Sequence, residues 1–241
     1  MNDVLEKLQV LDKLFNYQMR AKGAAPWFKT IAGSRPVLVS APHACMHRRD
    51  GVQKMQEEYT GAIARYLAEE CHCHAIFTCC QIDEDPNWQP QGQYKHAVQS
   101  LVEQYNIAFL IDLHGMTNKH KMGVAIGTIN GFSCDPQLVL PHFVSAGFKS
   151  IDLESIELDD THPARRVVVD HPKFTGGVVN QTVTRFACEQ LQIESVQIEL
   201  ASEVRVVESA ATSDWPYDYR GNPEAIIATI TALKSMVERF P

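Results

Sequence analysis

Short runs of apolar residues alternate along this chain with longer segments of helical periodicity, and this alternation constrains the fold more than any other feature. The clearest runs lie at 37–41, 75–80, 107–113 and 196–200. They are too short for buried helices and rich in apolar, often branched side chains, which is typical of strands covered on both faces. The order of elements predicts a three-layer α/β/α fold with a mixed, largely parallel central sheet.

Weaker patterns complete this arrangement. Apolar residues at helical spacing predict an amphipathic helix over residues 1–22, packed on the rest of the chain. No linker or repeat divides the 241 residues, so we expect residues 1–241 to form one domain. Further strands are predicted at 123–128, 150–156 and 166–170, and helices near 54–70, 94–105, 136–147, 178–191 and 223–239.

The composition excludes several classes of protein and of partner. With 45% hydrophobic and 21% charged residues, the chain matches ordinary globular proteins and not disordered or disulfide-stapled ones. Its formal charge of -7 repels phosphate backbones and anionic lipids, so we expect no nucleic acid and no membrane as partner. No stretch approaches about 18 consecutive apolar residues, and residues 1–20 lack the apolar centre of a signal peptide, so we expect a cytoplasmic protein.

The cysteines are the first candidates for a metal site. Their number, 7, is odd and the chain carries no secretion signal, which favours reduced thiols. Cys71, Cys73, Cys79 and Cys80 lie close together in the sequence. However, Cys79 and Cys80 fall in a predicted strand, where neighbouring side chains point to opposite faces and cannot easily bind one ion. We therefore predict buried structural cysteines.

Stronger metal-ligand candidates lie at the ends of the predicted strands. His43 comes directly after the strand at 37–41, His114 follows the central strand, and Glu199 lies in the late strand. In open α/β sheets, ligands bind beyond the carboxyl ends of the strands. Two histidines and a carboxylate, with water in the fourth position, form a common catalytic zinc set that needs a further carboxylate as general base. Asp112, two residues before His114, could orient this histidine as an outer hydrogen-bond acceptor.

The second carboxylate that such a zinc site needs is expected in the segment that follows His43. Glu57 and Glu58 begin the next predicted helix, whose apolar face is marked by Ile63 and Leu67. At 100° per residue, Glu58 points away from that face and Glu57 lies at its flank. Glu57 is therefore the better ligand candidate, and Glu58 remains the alternative.

A series of short motifs now resembles a known family. The ordered set is similar to the N-formylglutamate amidohydrolase-like group, which is related in fold to zinc carboxypeptidases and aspartoacylases. The resemblance extends from about residue 36 to 206. Its motifs are Pro42-His43, His47-x-Arg49-x-Gly51-x-x-Lys54-x-x-Glu57-x-x-Thr60, Asp85-x-Asn87, Asp112-Leu-His114-Gly, Ile126-Gly-Thr128, Phe174-Thr-Gly-Gly177 and Gln197-Ile-Glu199-Leu.

The resemblance implies a phosphorylase/hydrolase-like fold and a zinc-hydrolase-like domain. It places Zn²⁺ between His43, Glu57 and His114, with Glu199 as the catalytic glutamate. The chain departs from the related carboxypeptidases because it lacks their tight His-x-x-Glu ligand pair. It also has Met122 where an acidic residue is expected.

Two arginines are candidates for the catalytic machinery. Arg49 lies six residues after His43, and Arg205 lies six residues after Glu199. A guanidinium group can bind a substrate carboxylate in bidentate geometry or stabilise a carbonyl oxygen as it becomes an oxyanion. A solvated surface arginine is the alternative for each.

Two loops supply candidate substrate contacts. Asp85 and Asn87 follow a strand end, and Asn87 could bind a substrate carboxylate, although Asp-Pro-Asn is also an ordinary turn. Thr175 and Gly176 form a turn where the backbone could approach a ligand closely, although a plain loop is the alternative.

These observations favour a zinc-dependent hydrolase. The expected substrate is a small N-acyl (N-formyl) amino acid or a short peptide with a carboxylate, cleaved at an amide bond. The main alternative is a metal-poor binding or regulatory module that keeps the hydrolase fold, with Met122 as its mark. A cysteine hydrolase using Cys45 or Cys79 is least favoured, because neither thiol lies in a nucleophile-elbow sequence.

Overall fold

The computed structural model describes residues 2–21, 26–209 and 218–240. The strands are β1 (Asn16–Arg20), β2 (Phe28–Ile31), β3 (Val37–Ala41), β4 (His47–Arg49), β5 (Val52–Lys54), β6 (His74–Thr78), β7 (Cys80–Gln81), β8 (Phe109–Met116), β9 (Val124–Gly127), β10 (Lys149–Ser150), β11 (Arg166–Val169) and β12 (Glu194–Ala201). The α-helices are α1 (Asn2–Asp12), α2 (Thr60–Cys71), α3 (Gln93–Tyr105), α4 (Leu140–Ser145), α5 (Val183–Gln190), α6 (Ser202–Arg205) and α7 (Pro223–Glu238).

An eight-stranded sheet organises these elements, in the order β10-β11-β9-β12-β8-β3-β6-β2. The four central strands β12, β8, β3 and β6 run parallel, whereas β9 is antiparallel to β12 and β2 is antiparallel to β6. Helices α1, α2, α4 and α7 pack on one face of the sheet, and α3 and α5 pack on the other. This confirms the predicted three-layer fold with a mixed, largely parallel sheet.

The central strands are apolar because both of their faces are buried. Val37 and Val39 in β3 face the larger helical layer, and Leu38 between them faces α3 and α5. In β8, Ile111 and Leu110 divide between the two faces in the same way. This two-sided burial explains why the strands read as continuous apolar runs.

Several element boundaries differ from the predictions. Helix α2 begins at residue 60 and not near 54, because residues 47–54 form the β4–β5 hairpin. Asp50 and Gly51 both have positive φ angles at its turn, as tight hairpins require. The strand predicted at 150–156 is wrong beyond Ser150, where a short 3-10 helix follows at Leu153–Ser155.

The N-terminal helix is shorter than predicted. It ends at Asp12, and residues 16–20 form β1, which pairs in parallel with β7; residues 22–25 lie outside the described part of the chain. Leu14 and Met19 are 49% and 56% exposed, so their helical spacing did not reflect a buried face. Phe15 is instead buried against Phe77, with 5.4 Å between the ring centroids.

The prediction of buried cysteines holds for Cys71, Cys73 and Cys79, whereas Cys80 is partly exposed. All seven cysteines are free thiols. Within the described residues, no cluster with metal-binding geometry includes a cysteine.

None of the helices in the described part of the chain combines the length and apolarity that a membrane span requires.

Gly61→Ala tests the packing of the N-terminal segment on α2. A methyl group at Gly61 would lie 2.2 Å from the ring of Phe15. We expect overpacking of about 1–3 kcal/mol to exceed the roughly 1 kcal/mol that alanine gains over glycine in a helix. Urea unfolding should therefore show a lower free energy of unfolding. In a Phe15→Leu background the same substitution should cost less, and an equal cost in both backgrounds would contradict this contact.

Candidate metal centre

The candidate site lies at the carboxyl ends of the central parallel strands. His43 follows β3, His114 lies near the end of β8, and Glu199 lies opposite His114 in the register of β12. Glu57 comes from the segment between the hairpin and α2. A cavity of about 390 Å³ opens over this edge, and His43 and Glu57 form part of its wall.

The carboxylate of Glu57 lies between the two histidines. Its Oε1 is 3.2 Å from His43 Nδ1, and its Oε2 is 3.1 Å from His114 Nδ1. The backbone N–H of Gly115 also donates to Glu57 Oε2 at 2.9 Å. His43, Glu57 and His114 each offer a ligand atom within 4.8 Å of the others. The structure thus brings together the three residues predicted to bind metal.

Glu57 reaches this position for a different reason from the one inferred from the sequence. It precedes α2, so the helical-face argument does not apply to it. Its backbone N–H donates to His43 O at 2.9 Å, which holds it beside the first histidine. Glu58 lies on the cavity wall but belongs to neither potential metal cluster in the described residues.

Carboxylates orient both histidines from behind. His43 Nε2 is 2.7 Å from Asp85 Oδ1, and His114 Nε2 is 3.2 Å from Asp112 Oδ2. Asp112 also accepts a hydrogen bond from Ser40 Oγ at 2.8 Å. An outer carboxylate at one ring nitrogen leaves the other nitrogen as the metal ligand, which is the usual arrangement of zinc-binding histidines.

The electrostatics of the cluster favour a cation between the histidines. Burial opposes protonation of His43, but the carboxylates of Glu57 and Asp85 outweigh it and raise its pKa to about 9. Burial also opposes protonation of His114, whose pKa the carboxylates of Glu57 and Asp112 raise well above its ordinary value. Two imidazole nitrogens, one carboxylate and an adjoining cavity for water therefore fit Zn²⁺.

A second group, formed by His43, His47 and Asp85, also has potential ligand atoms close together. The rings of His43 and His47 are stacked, with centroids 3.9 Å apart and only 6° between their planes. A metal lies close to the plane of a ligating imidazole, and two stacked parallel planes share no such position. Asp85 also accepts a hydrogen bond from Arg49 Nε at 2.6 Å. This group fits a metal poorly.

Glu199 is a buried carboxyl group beside the candidate metal ligands. It is 8% exposed and accepts a hydrogen bond from Gln197 Nε2 at 2.9 Å. Burial raises its pKa to about 7, with a further contribution from Glu57 and an opposing one from His114. A carboxyl group with this pKa can accept and release a proton near neutral pH. Alternation along β12 places Gln197 on the same face as Glu199, which is the one signal in the sequence for this contact.

Arg205 provides a buried cation with unused hydrogen-bonding capacity. It is 6% exposed, and its Nε and Nη1 have no hydrogen-bond partner among the residues that the structure describes. Its guanidinium lies against Gly115, where a methyl group would come within 2.5 Å of Nε. Arg49 also lines the cavity, but it is engaged with Asp85 and stacks on the ring of Trp88 at 5.1 Å.

The residues predicted to contact substrate lie elsewhere. Asp85 is 1% exposed, and its two oxygens already contact His43 and Arg49. Asn87 accepts a hydrogen bond from the Val183 N–H at 2.8 Å, and its Nδ2 is 2.7 Å from His114 Nε2. Both residues contact the histidines from behind and are absent from the cavity wall, and their role in substrate binding stays a prediction.

The turn at Thr175 and Gly176 packs on the sheet. A methyl group on Gly127 in β9 would lie 2.4 Å from the nitrogen of Gly176, and Thr175 O accepts a hydrogen bond from the Ile129 N–H at 2.7 Å. Neither Thr175 nor Gly176 lines the cavity. The close approach of backbone predicted at this turn is made to β9, and a substrate contact by Thr175 or Gly176 stays a prediction.

Comparison with known proteins gives similarity of structure only. No protein-family model matches the chain, and no curated protein matches it. A gene product of Agrobacterium tumefaciens, Atu2144, is similar over 95% of this chain and 97% of its own, with 12% identity and a TM-score of 0.52. This similarity shows the fold alone.

Two further structures match less closely. A bacteriophage poly-gamma-glutamate hydrolase is 14% identical over 89% of this chain and 90% of its own, with a TM-score of 0.49. A metallo-carboxypeptidase from Burkholderia cenocepacia is 10% identical over 100% of this chain and 69% of its own, with a TM-score of 0.45. No N-formylglutamate amidohydrolase is named among these structures, so that resemblance stays a prediction.

The two potential metal groups can be separated by substitution. His43→Ala and His114→Ala should each lose most bound zinc, because removing one of three protein ligands leaves the ion held mainly by water. His47→Ala should retain zinc, since His47 does not belong to the group formed by His43, Glu57 and His114. Metal analysis of protein purified without chelator, followed by zinc titration, measures both effects. Loss of zinc in His47→Ala together with its retention in His114→Ala would assign the metal to the other group.

Proposed function

We propose that this protein is a zinc-dependent hydrolase of an amide bond in a small N-acyl amino acid, N-formyl compounds included, or in a short peptide with a carboxylate. The observation that carries the proposal is the position of Glu57 between the Nδ1 atoms of His43 and His114. Glu199 and Arg205 lie beside this cluster, which supports a catalytic site over a structural metal site, since structural zinc sites are closed by four protein ligands.

Bound Zn²⁺ would lower the pKa of a coordinated water and polarise the substrate carbonyl. His43, Glu57 and His114 would hold the ion, while Asp85 and Asp112 keep the two imidazole rings oriented. Glu199 would accept the proton of the attacking water on its carboxylate and later donate it to the leaving amine. Gln197 donates to Oε1 of Glu199, and no hydrogen bond to Oε2 is found among the described residues, so Oε2 would be available for this transfer.

Arg205 is the residue best suited to stabilise negative charge on the substrate. Its unpaired guanidinium nitrogens can donate to a carboxylate or to the carbonyl oxygen as charge develops. Such donors act more strongly in a buried site than in water, because less solvent screens them. Arg49 lines the same cavity, but its Nε is committed to Asp85.

The alternatives from the sequence receive less support. Met122, taken as a mark of a metal-poor binding module, is 1% exposed and belongs to the hydrophobic core, so packing accounts for its apolar side chain. The cysteine-hydrolase alternative needs a thiolate. Burial raises the pKa of the Cys79 thiol to about 11 and that of Cys45 further, so both are protonated at neutral pH.

Glu199→Gln separates proton transfer from metal binding. Glutamine keeps the size and hydrogen bonding of the side chain but cannot accept the proton, so turnover should fall about 10²- to 10⁴-fold. Zinc content should stay at the parental level. The assay uses the best substrate from a panel of N-formyl and N-acetyl amino acids and short peptides.

Glu194→Gln, an exposed position at the start of the same strand, is the matched control and should retain parental turnover. Loss of zinc in Glu199→Gln would make Glu199 a metal ligand. Parental turnover in Glu199→Gln would remove the general base from the proposal.

Gly115→Ala tests the placement of Arg205 without removing its charge. The added methyl group would overlap the guanidinium and displace it, so turnover should fall by about 10²-fold, as when an oxyanion donor is lost. Arg205→Ala should produce a similar loss. In the double variant the two losses should not add, because both act through one guanidinium group. Full additivity would show that Gly115 serves another purpose.

A further inference from the structure

A left-handed residue follows Glu57 at the start of α2. Tyr59 has φ of 67° and directly precedes the helix. Residues other than glycine rarely adopt this conformation, which is strained and persists only when surrounding contacts impose it. The turn therefore depends on the groups that hold the backbone of Tyr59.

Two side chains of the N-terminal segment supply those contacts. The Tyr59 N–H donates to Asp12 Oδ1 at 3.2 Å and to the hydroxyl oxygen of Tyr17 at 3.1 Å. The Tyr17 hydroxyl in turn donates to Asp12 Oδ1. At its other end, the Tyr59 hydroxyl donates to Glu208 O at 2.7 Å. The strained residue is thus held from both its backbone and its ring.

The same N-terminal segment is anchored to the loop that carries His43. Tyr17 O accepts a hydrogen bond from the Met46 N–H at 2.9 Å, three residues beyond His43. Phe15 fills the space over Gly61 in the first turn of α2. The segment therefore contacts both the histidine loop and the turn after Glu57.

Glu57 is connected to this turn through short hydrogen bonds. Its carbonyl accepts from Thr60 Oγ1 at 2.7 Å and from the Thr60 N–H at 3.2 Å, so the left-handed residue sits inside the loop that these bonds close. On the other side, the Glu57 N–H donates to His43 O. If Tyr59 changed to an ordinary backbone conformation, the orientation of Glu57 relative to α2 would change.

We propose that Asp12 and Tyr17 are positioning residues for the metal site, because they hold the left-handed turn at Tyr59 and thereby direct the Glu57 carboxylate between His43 and His114. This inference rests on the proposed function, in which Glu57 binds the metal. Asp12 and Tyr17 lie before residue 36, outside the stretch that resembles the amidohydrolase-like group. The N-terminal segment thus completes the site from outside that stretch.

The test measures metal binding and not turnover. Tyr17→Phe keeps the ring and removes the hydroxyl group, so zinc affinity, measured by competition with a chromogenic chelator, should fall about tenfold, at the lower end of losses for groups that orient ligands. The visible absorption of the Co²⁺-substituted protein should also change, since Glu57 contributes to its coordination. Asp12→Ala should behave like Tyr17→Phe, whereas Asp12→Asn, which retains an acceptor oxygen, should stay near the parental affinity.

Leu8→Val is the matched control for simple loss of packing. Leu8 is fully buried in α1, one helical turn before Asp12. The substitution loosens the same segment without removing a hydrogen bond to Tyr59, so it should lower the unfolding temperature while leaving zinc affinity and the Co²⁺ spectrum at parental values. Parental affinity and spectrum in both Tyr17→Phe and Asp12→Ala, with zinc loss in His43→Ala, would overturn the positioning role alone. Full zinc retention in His43→Ala would overturn the metal site and this inference together.

Discussion

The site depends on one carboxylate that bridges two imidazole rings. Glu57 contacts Nδ1 of both His43 and His114 at distances just above 3 Å. This arrangement requires the ends of β3 and β8 to be neighbours, which the parallel pairing of the two strands provides. It also requires Glu57 to reach the site from a separate segment of the chain. The hairpin, the turn and the helix between residues 47 and 71 therefore all affect the position of the Glu57 side chain.

Burying this carboxylate creates an electrostatic demand on its surroundings. Asp85, Asp112 and Glu199 are also buried within a short distance of the histidines. Desolvated carboxylates are costly unless cations or hydrogen-bond donors face them. Arg49 pairs with Asp85, and Arg205 lies over Gly115 beside Glu57. The same carboxylates raise the pKa values of His43 and His114, so the site favours positive charge, which a divalent cation between the histidines would supply in place of protons.

Small residues permit this crowded arrangement. The backbone N–H of Gly115 donates to Glu57, and because Gly115 has no side chain, the guanidinium of Arg205 can pack against it. Gly61 leaves space for Phe15, which brings the N-terminal segment close enough for Asp12 and Tyr17 to reach Tyr59. The sheet edge that carries the candidate site and the N-terminal segment are therefore joined through contacts that side chains at these glycines would block.

The sequence by itself determined the strand layer and most of the chemistry at its edge. Buried parallel strands need apolar residues on both faces, so they could be recognised in the sequence as short apolar runs. His43, His114 and Glu199 could then be placed at the ends of these strands. Only the tertiary structure decided which loop residues face the cavity and which support the ligands from behind. The contacts of Asp85 with His43 and of Asn87 with His114 could not be predicted from the sequence, because a loop's direction depends on partners distant in the chain. The end of α1 at Asp12 and the turn at Tyr59 were likewise decided by packing between segments, which local periodicity does not encode.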